Sequence, residues 1–199
     1  MQTFYRYLTS AEERALFSHV KQFACVLARR DHAWMRLARN TGLRVGSMAG
    51  LTVIDARQAL ASGYLQIRSE ISKRKQAHSV HLNKAGKAAM RDLLKIRREM
   101  GHAEADDAPL IVSRNHRALS VRSFQARMKK WVESAGLPVH ATPHWWRHTL
   151  AMRLMRNSTA ADPRGVVQGA LGHRDINSTS VYTRPSREDV ALAMDEVAS

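Results

Sequence analysis

Six residues, spread along the chain in a fixed order, carry side chains suited to work on a phosphodiester. They are Arg44 in Thr41-Gly42-Leu43-Arg44, Lys73, His144 and Arg147 in His144-Trp145-Trp146-Arg147-His148, His173 in Leu171-Gly172-His173, and Tyr182 nine residues later. Displacement at phosphorus builds negative charge on the non-bridging oxygens and demands a proton for the departing 5′ oxygen, so positioning and electrostatics supply most of the catalysis. Guanidinium suits the first task because it stays charged and its planar donors fit two phosphate oxygens at once, which makes Arg44 and Arg147 the candidates. Residues three apart on a helix share a face, so His144 and Arg147 can address the same phosphate. The phenol of Tyr182 has an ordinary pKa of about 10 and needs neighbouring cations and imidazoles to attack at neutral pH.

Each of these residues also has a plainer reading. Most arginines in a basic chain are solvated surface charges, Trp145 and Trp146 suit a core helix with incidental polar neighbours, and a lone tyrosine usually packs. Tyr5, Tyr7 and Tyr64 have no such surroundings. His144 and His148 lie four apart, where two metal ligands can share a helix face, but there is no HExxH and no acidic residue in that segment, so no metal is assigned.

The composition sets the class of partner. The 199 residues suit one domain with a proper core. Thirty-two Lys and Arg against seventeen Asp and Glu leave a formal charge of +15, which asks for a polyanion. An anionic membrane would satisfy the charge too, but no run of about 18 apolar residues occurs and Met1-Gln2-Thr3-Phe4-Tyr5-Arg6 lacks a signal-peptide apolar region. The expectation is a soluble, cytoplasmic protein without a membrane partner. Cys25 stands alone among Phe23, Ala24, Val26 and Leu27, which favours a buried structural thiol and excludes an internal disulfide.

The elements that must position these groups are mostly helical. Thr9 with Glu12 and Ser10 with Glu13 form two overlapping capping boxes ahead of an apolar-periodic stretch reaching about Ala28, and a second helix carrying Ala33, Trp34, Leu37 and Ala38 ends at Thr41-Gly42. Tyr64 to Ile67 and His78 to Leu82 alternate as a strand pair around the basic turn Lys73-Arg74-Lys75-Gln76, and Pro109 to Val112 is a third strand following an acidic loop at Glu104, Asp106 and Asp107. Helices are predicted from Lys84 to Met100, Ser120 to Ala135, about Pro143 to Asn157, Pro163 to Leu171, and Ser186 to Val197. The fold class is mainly α with a small three-stranded antiparallel sheet, organised as one domain over 1–199 with an N-terminal arm at 1–8.

In this order and at these spacings the boxes resemble the active site of the tyrosine recombinases of the phage integrase family, from about residue 9 to residue 184. Thr41-Gly42-Leu43-Arg44 with Leu51 and Asp55 resembles the family's first box, Thr142-Pro143-His144 with Arg147-His148-Thr149 its second, and Leu171-Gly172-His173-Arg174-Asp175-Ile176 with Thr179, Tyr182 and Thr183 its third. Two positions depart. Ser47 stands where the family usually has a Glu or Asp that helps orient the active-site groups, and Trp146 stands in place of its usual Leu.

What the resemblance implies is a DNA-cutting and rejoining enzyme. Tyr182 would leave a 3′-phosphotyrosine and a free 5′ hydroxyl, Arg44, Arg147, His144 and His173 would stabilise the pentavalent state, and neither metal nor ATP would be needed. Lys73 enters by aligning His78 to Leu82 with the second strand of the family's hairpin, which puts the family's lysine, the general acid for the 5′ oxygen, on the turn at 73; Lys75 is its competitor. Arg68, Arg74 and Lys75 are read as phosphate-gripping residues. The implied partner is double-stranded DNA with inverted-repeat recombination sites, bound by four protomers, with an accessory DNA-bending protein or partner recombinase, at the bacterial nucleoid. The helix within 186–199 would dock on a neighbour or pack in its own chain. The catalytic boxes begin too early for the N-terminal helical domain of typical members, so the organisation resembles the compact single-domain recombinases that invert fimbrial promoter switches; the alternatives are a fragment, or an element-encoded enzyme that borrows a partner for grip. Two rivals remain open: a degenerate recombinase acting as a DNA-binding architectural or regulatory protein, and a relative of type IB topoisomerases, which share the chemistry.

Overall fold

The apolar periodicity closes into one helical body around a buried central helix. The computed structural model describes residues 7–73, 75–102, 104–172 and 194–195. In chain order its helices are α1 (Ser10–Lys21), α2 (Val26–Thr41), α3 (Val45–Ala49) and α4 (Val53–Ser62), then α5 (Lys84–Glu99) after a β-ribbon, and finally α6 (Val121–Ser134), α7 (Trp145–Asn157) and α8 (Pro163–Leu171). The ribbon pairs β1 (Tyr64–Ile67) with β2 (His78–His81), antiparallel, with Tyr64 opposite His81 and Ile67 opposite His78. Leu65, Ile67 and Val80 face the core while Gln66 and Ser79 face water, as the alternation requires.

Helix α2 is the axis of the domain. It packs against α1, α5 and α7 and contributes Trp34, Met35, Leu37 and Ala38 to a core that also holds Phe124, Leu93, Leu65 and Trp146. Trp34 meets the Phe124 ring edge-on at 5.1 Å between centroids. At the N-terminal half of α2 the fully buried carboxylate of Asp31 collects donors from two helices. Arg30 (2.8 Å) and the Trp34 indole (3.2 Å) reach it from α2, and the Trp131 indole (2.8 Å) with Arg127 from α6. Arg30 also donates to the Val112 carbonyl at 2.9 Å, tying in the connection between α5 and α6.

Three sequence expectations change. The first helix stops at Lys21 rather than near Ala28, and the chain turns through residues 22–25 before α2 begins. Of the two capping boxes, Thr9 with Glu12 is the one formed, since Ser10 is already the first helical residue. The turn puts Phe23 and Ala24 on the outside, and Cys25, expected to be buried, is exposed; its apolar neighbours had suggested a helical register that the turn interrupts. Among the described residues the sheet has two strands, not three. Segment 109–112 makes isolated bridges to Thr52 and Ala118 instead, because the Leu110 N–H goes to the Leu51 carbonyl (2.8 Å) and the Ile111 carbonyl takes the Leu119 N–H (2.8 Å).

Other expectations hold closely. Lys84 to Glu99, Val121 to Ser134 and Pro163 to Leu171 are helical, capped by Asn83 and Ser120 in the first two cases. Of the arm expected at 1–8, Tyr7 and Leu8 sit on α7: the Leu8 N–H donates to Thr149 Oγ1 (3.0 Å), and Arg156 donates to the Tyr7 hydroxyl (2.8 Å). The acidic loop is met by Arg57, which pairs with Asp106 and Glu104, and by Arg98. No helix among the described residues is long and apolar enough to cross a membrane.

The Asp31 cluster generates the first prediction. Asp31→Ala removes the anion and leaves Arg30, itself 4% exposed, buried without its partner. Urea denaturation should show a loss of about 3–5 kcal/mol, the range for breaking a buried pair from one side. A loss below about 1 kcal/mol would show that the cluster does not hold α2 to α6.

Candidate active site

The site lies where α2 ends. Gly42 terminates that helix in the left-handed region (φ +62°), and a Cβ there would come within 2.6 Å of the Leu171 side chain, so only glycine lets the end of α8 approach this closely. Leu43 turns inward and Arg44 opens α3. Helix α7 delivers its first turn to the same place, with Trp146 locked in the core against Phe17 at 5.2 Å. The opposite side of α7 packs on α8 through Ala151, Val167 and Leu171, with Leu150 and Leu154 alongside.

Arg147 binds these pieces together. Its guanidinium is buried and donates from Nη1 to the Gly42 carbonyl (2.8 Å) and from Nη2 to the Leu171 carbonyl (2.6 Å). The sequence suggests a phosphate ligand; the fold adds that this arginine clamps the ends of α2 and α8.

A cavity of about 540 Å³ opens beside this clamp, lined by Arg44, Ser47, Glu70, Ile71, Lys73 and His144 among others. Four of the six candidates thus converge: Arg44, Lys73 and His144 line the cavity, and Arg147 is close enough to act electrostatically on His144. The His144 imidazole has its pKa pulled below the ordinary histidine value, first by partial desolvation and then by Arg147, Arg44 and Lys73. Lys73, and not Lys75, lines the cavity; Lys75 sits in the turn with φ +50° and its N–H on the Ser72 carbonyl at 3.0 Å.

Ser47, at the position where a carboxylate was expected, is buried and donates to the Ile71 carbonyl at 2.9 Å. It ties α3 to the 3₁₀ turn Ser69–Ile71 that leads to Lys73. Arg68 reaches the Gly50 carbonyl and the buried Asp55 carboxylate, each at 3.1 Å, so it braces the ribbon against the start of α4. His173, Tyr182, Arg74 and the helix expected within 186–197 lie outside the described residues, apart from Met194 and Asp195.

Two further imidazoles belong to this neighbourhood. His148 packs edge-on against His144, with centroids 4.6 Å apart, and is buried; desolvation, His144 and Arg147 push its pKa down to about 4. His78, at the start of β2, lies against Gly172. Its pKa is lowered by burial and by Arg147 and Arg44, against a raising contact with the Gln76 carbonyl at 3.5 Å. His148 was visible one residue after Arg147, but nothing in the sequence marks His78, because its distance from the other boxes collapses only on folding.

The phage integrase family model matches residues 6–189, and the chain belongs to that family. The tyrosine recombinase XerC of Shewanella amazonensis is 37% identical over 169 residues, and that of Neisseria gonorrhoeae 32% over 170. Each match covers 85% of this chain but only 53% and 52% of the relative, so the chain spans about half the length of these proteins. Among solved structures, XerA recombinase superposes with a TM-score of 0.75 at 20% identity, covering 100% of this chain and 65% of the other. XerH bound to palindromic difH substrate gives 0.76 at 18% identity, covering 99% and 54%. At those identities the likeness is one of fold.

The buried imidazole sets a pH dependence. An unfolded histidine takes up a proton near pH 6.5, whereas folded His148 stays neutral down to about 4. Between those values the unfolded chain binds the extra proton, so stability should fall as pH drops through this window. Urea melts at pH 7 and pH 4.5 should differ by on the order of 2 kcal/mol more in the wild type than in His148→Gln, which has no imidazole to protonate. Equal differences would remove His148 as the cause.

Proposed function

We propose that this chain is the catalytic domain of a site-specific DNA recombinase that cleaves and rejoins strands through a 3′-phosphotyrosine. The observation that carries the reading is the convergence of Arg44, Lys73 and His144 on one cavity beside Arg147, in a chain of the phage integrase family. Residues distant in sequence need not meet unless the fold is built around them.

The scissile phosphate sits in the cavity lined by Arg44, Lys73 and His144, with Arg147 beside it and His144 and His173 adding donors to the non-bridging oxygens as charge develops. The deprotonated Tyr182 oxygen forms its bond to phosphorus as the bond to the 5′ oxygen breaks. The Lys73 ammonium gives that oxygen its proton. Attack by the 5′ hydroxyl of a partner strand reverses each step, so the bond energy is kept in the phosphotyrosine. His144 stays a neutral donor at physiological pH, since burial and three cations hold its pKa down.

The formal charge of +15 suits a duplex DNA partner, and Lys75 lies on the same hairpin as Lys73 to meet its backbone, with Arg74 between them in sequence. XerH is known bound to its palindromic difH substrate. By the same chemistry this chain acts on paired inverted-repeat sites, four protomers to a synapse, with the segment 186–199 reaching a neighbour. An accessory bending protein or partner recombinase at the nucleoid completes the assembly.

The test is a trap. A duplex drawn from the DNA flanking the gene, nicked beside the scissile phosphate, loses its short strand after cleavage and cannot religate. Wild type should form a covalent adduct that chelator does not prevent, whereas Tyr182→Phe should bind the duplex and form none. Binding should also weaken with salt on a log-log slope of about −0.9 per phosphate contacted. An adduct that persists in Tyr182→Phe moves the nucleophile elsewhere, and no adduct with wild type returns the chain to a DNA-binding role without catalysis.

A further inference from the structure

The hairpin that carries Lys73 is held at both ends by unusually close contacts. On its first side, Ile71 lies so near the end of α3 that a Cβ on Gly50 would overlap its Cγ2, and the Ser47 hydroxyl holds the Ile71 carbonyl at 2.9 Å. On its second side, the His78 ring covers Gly172. A Cβ on that glycine would lie 2.7 Å from Cδ2, 3.2 Å from Cγ and 3.3 Å from Nε2 of the imidazole. Gly172 ends α8 with φ +61°, and the carbonyl before it, that of Leu171, is the one Arg147 grips. Residues 72–77 span these two anchors, and the described side chains there are exposed except Ser72.

We propose that His78 is a positioning residue: its ring, seated on Gly172, sets the Lys73 hairpin in the same frame as Arg147 and the end of α8. The inference rests on the recombinase reading and assigns Lys73 its place within it. The physical reason is reach. Lys73 is an ammonium on a flexible stem in an exposed turn, and a general acid works only within hydrogen-bond distance of the oxygen it protonates. With Ile71 alone as an anchor, the turn pivots. The seat on Gly172 removes that freedom, and the packing of β2 on α8 is where it does so. Burial and the charges of Arg44 and Arg147 keep this imidazole neutral, so it adds no positive charge to repel Lys73.

The experiment separates loss of the proton donor from loss of the fold. The 199-residue chain is given two nicked duplexes, one ordinary and one whose leaving 5′ oxygen is sulfur, which departs as thiolate without a proton. His78→Ala should slow ordinary cleavage by about tenfold or more, since general acid catalysis contributes a hundredfold or more when intact, and should recover to within about threefold of wild type on the sulfur duplex. DNA affinity should be unchanged. His78→Phe, which keeps a ring on Gly172, should retain most of the ordinary rate. If alanine prevents folding, His78→Gln removes the ring and keeps a polar side chain, and the same sulfur rescue is required of it. Cleavage at the wild-type rate, or an equal loss on both duplexes, overturns the inference while leaving the recombinase reading in place. A wild type that forms no adduct on either duplex overturns both.

Discussion

The Arg147 guanidinium, donating to the Gly42 and Leu171 carbonyls, is the interaction on which the site depends. Helix ends leave carbonyls without intrahelical partners, and here two of them, from helices far apart in sequence, are satisfied by one planar cation. Gly42 makes the geometry possible twice, by its left-handed turn and by having no side chain where Leu171 must pass. Because Arg44 follows Gly42 by two residues, whatever fixes the Gly42 carbonyl also fixes where Arg44 emerges.

The electrostatic design of the domain divides its charges by depth. Among the described residues three buried carboxylates, Glu13, Asp31 and Asp55, are each met by arginine: Glu13 by Arg39 and Arg153, Asp31 by Arg30 and Arg127, Asp55 by Arg68. Such pairs hold elements in register more than they raise stability, since desolvation offsets much of their attraction. Glu13 joins α1 to α2 and α7, Asp31 joins α2 to α6, and Asp55 caps α4 while receiving Arg68 from the ribbon. The +15 excess then acts as a field on a partner outside the fold.

A small ribbon can hold Lys73 at the cavity only if it is stiffened. Two strands of four residues are marginal by themselves. Here β1 leans on α4, Ile71 is pressed onto α3 beside Gly50, and β2 meets the end of α8 through His78. Ser47 contributes to this bracing through its bond to the Ile71 carbonyl, so the departure from the family's carboxylate has a role that can be seen in the fold.

The sequence by itself determined α2, α5, α6, α7 and α8, the ribbon, the family and four residues that the fold gathers at one cavity, because these follow from local periodicity, caps and short-range spacing: Asn83 before α5, Gly42 after α2, Leu65 and Ile67 alternating in β1; α4 over Val53–Ser62 was not read from it. It could not show that α1 breaks at residues 22–25 and exposes Cys25, since the apolar run Phe23 to Leu27 read equally well as a continuation of the helix. Nor could it tell that segment 109–112 pairs with Leu51 and Leu119 rather than with the ribbon, because strand pairing is a competition among backbone partners that β-propensity does not decide. That Lys73 and not Lys75 lines the cavity, the clamp of Arg147 and the seat of His78 on Gly172 were decided only by tertiary structure, for the same reason in each case: the contacts join residues from 24 to 105 positions apart, and only the closed core brings them together.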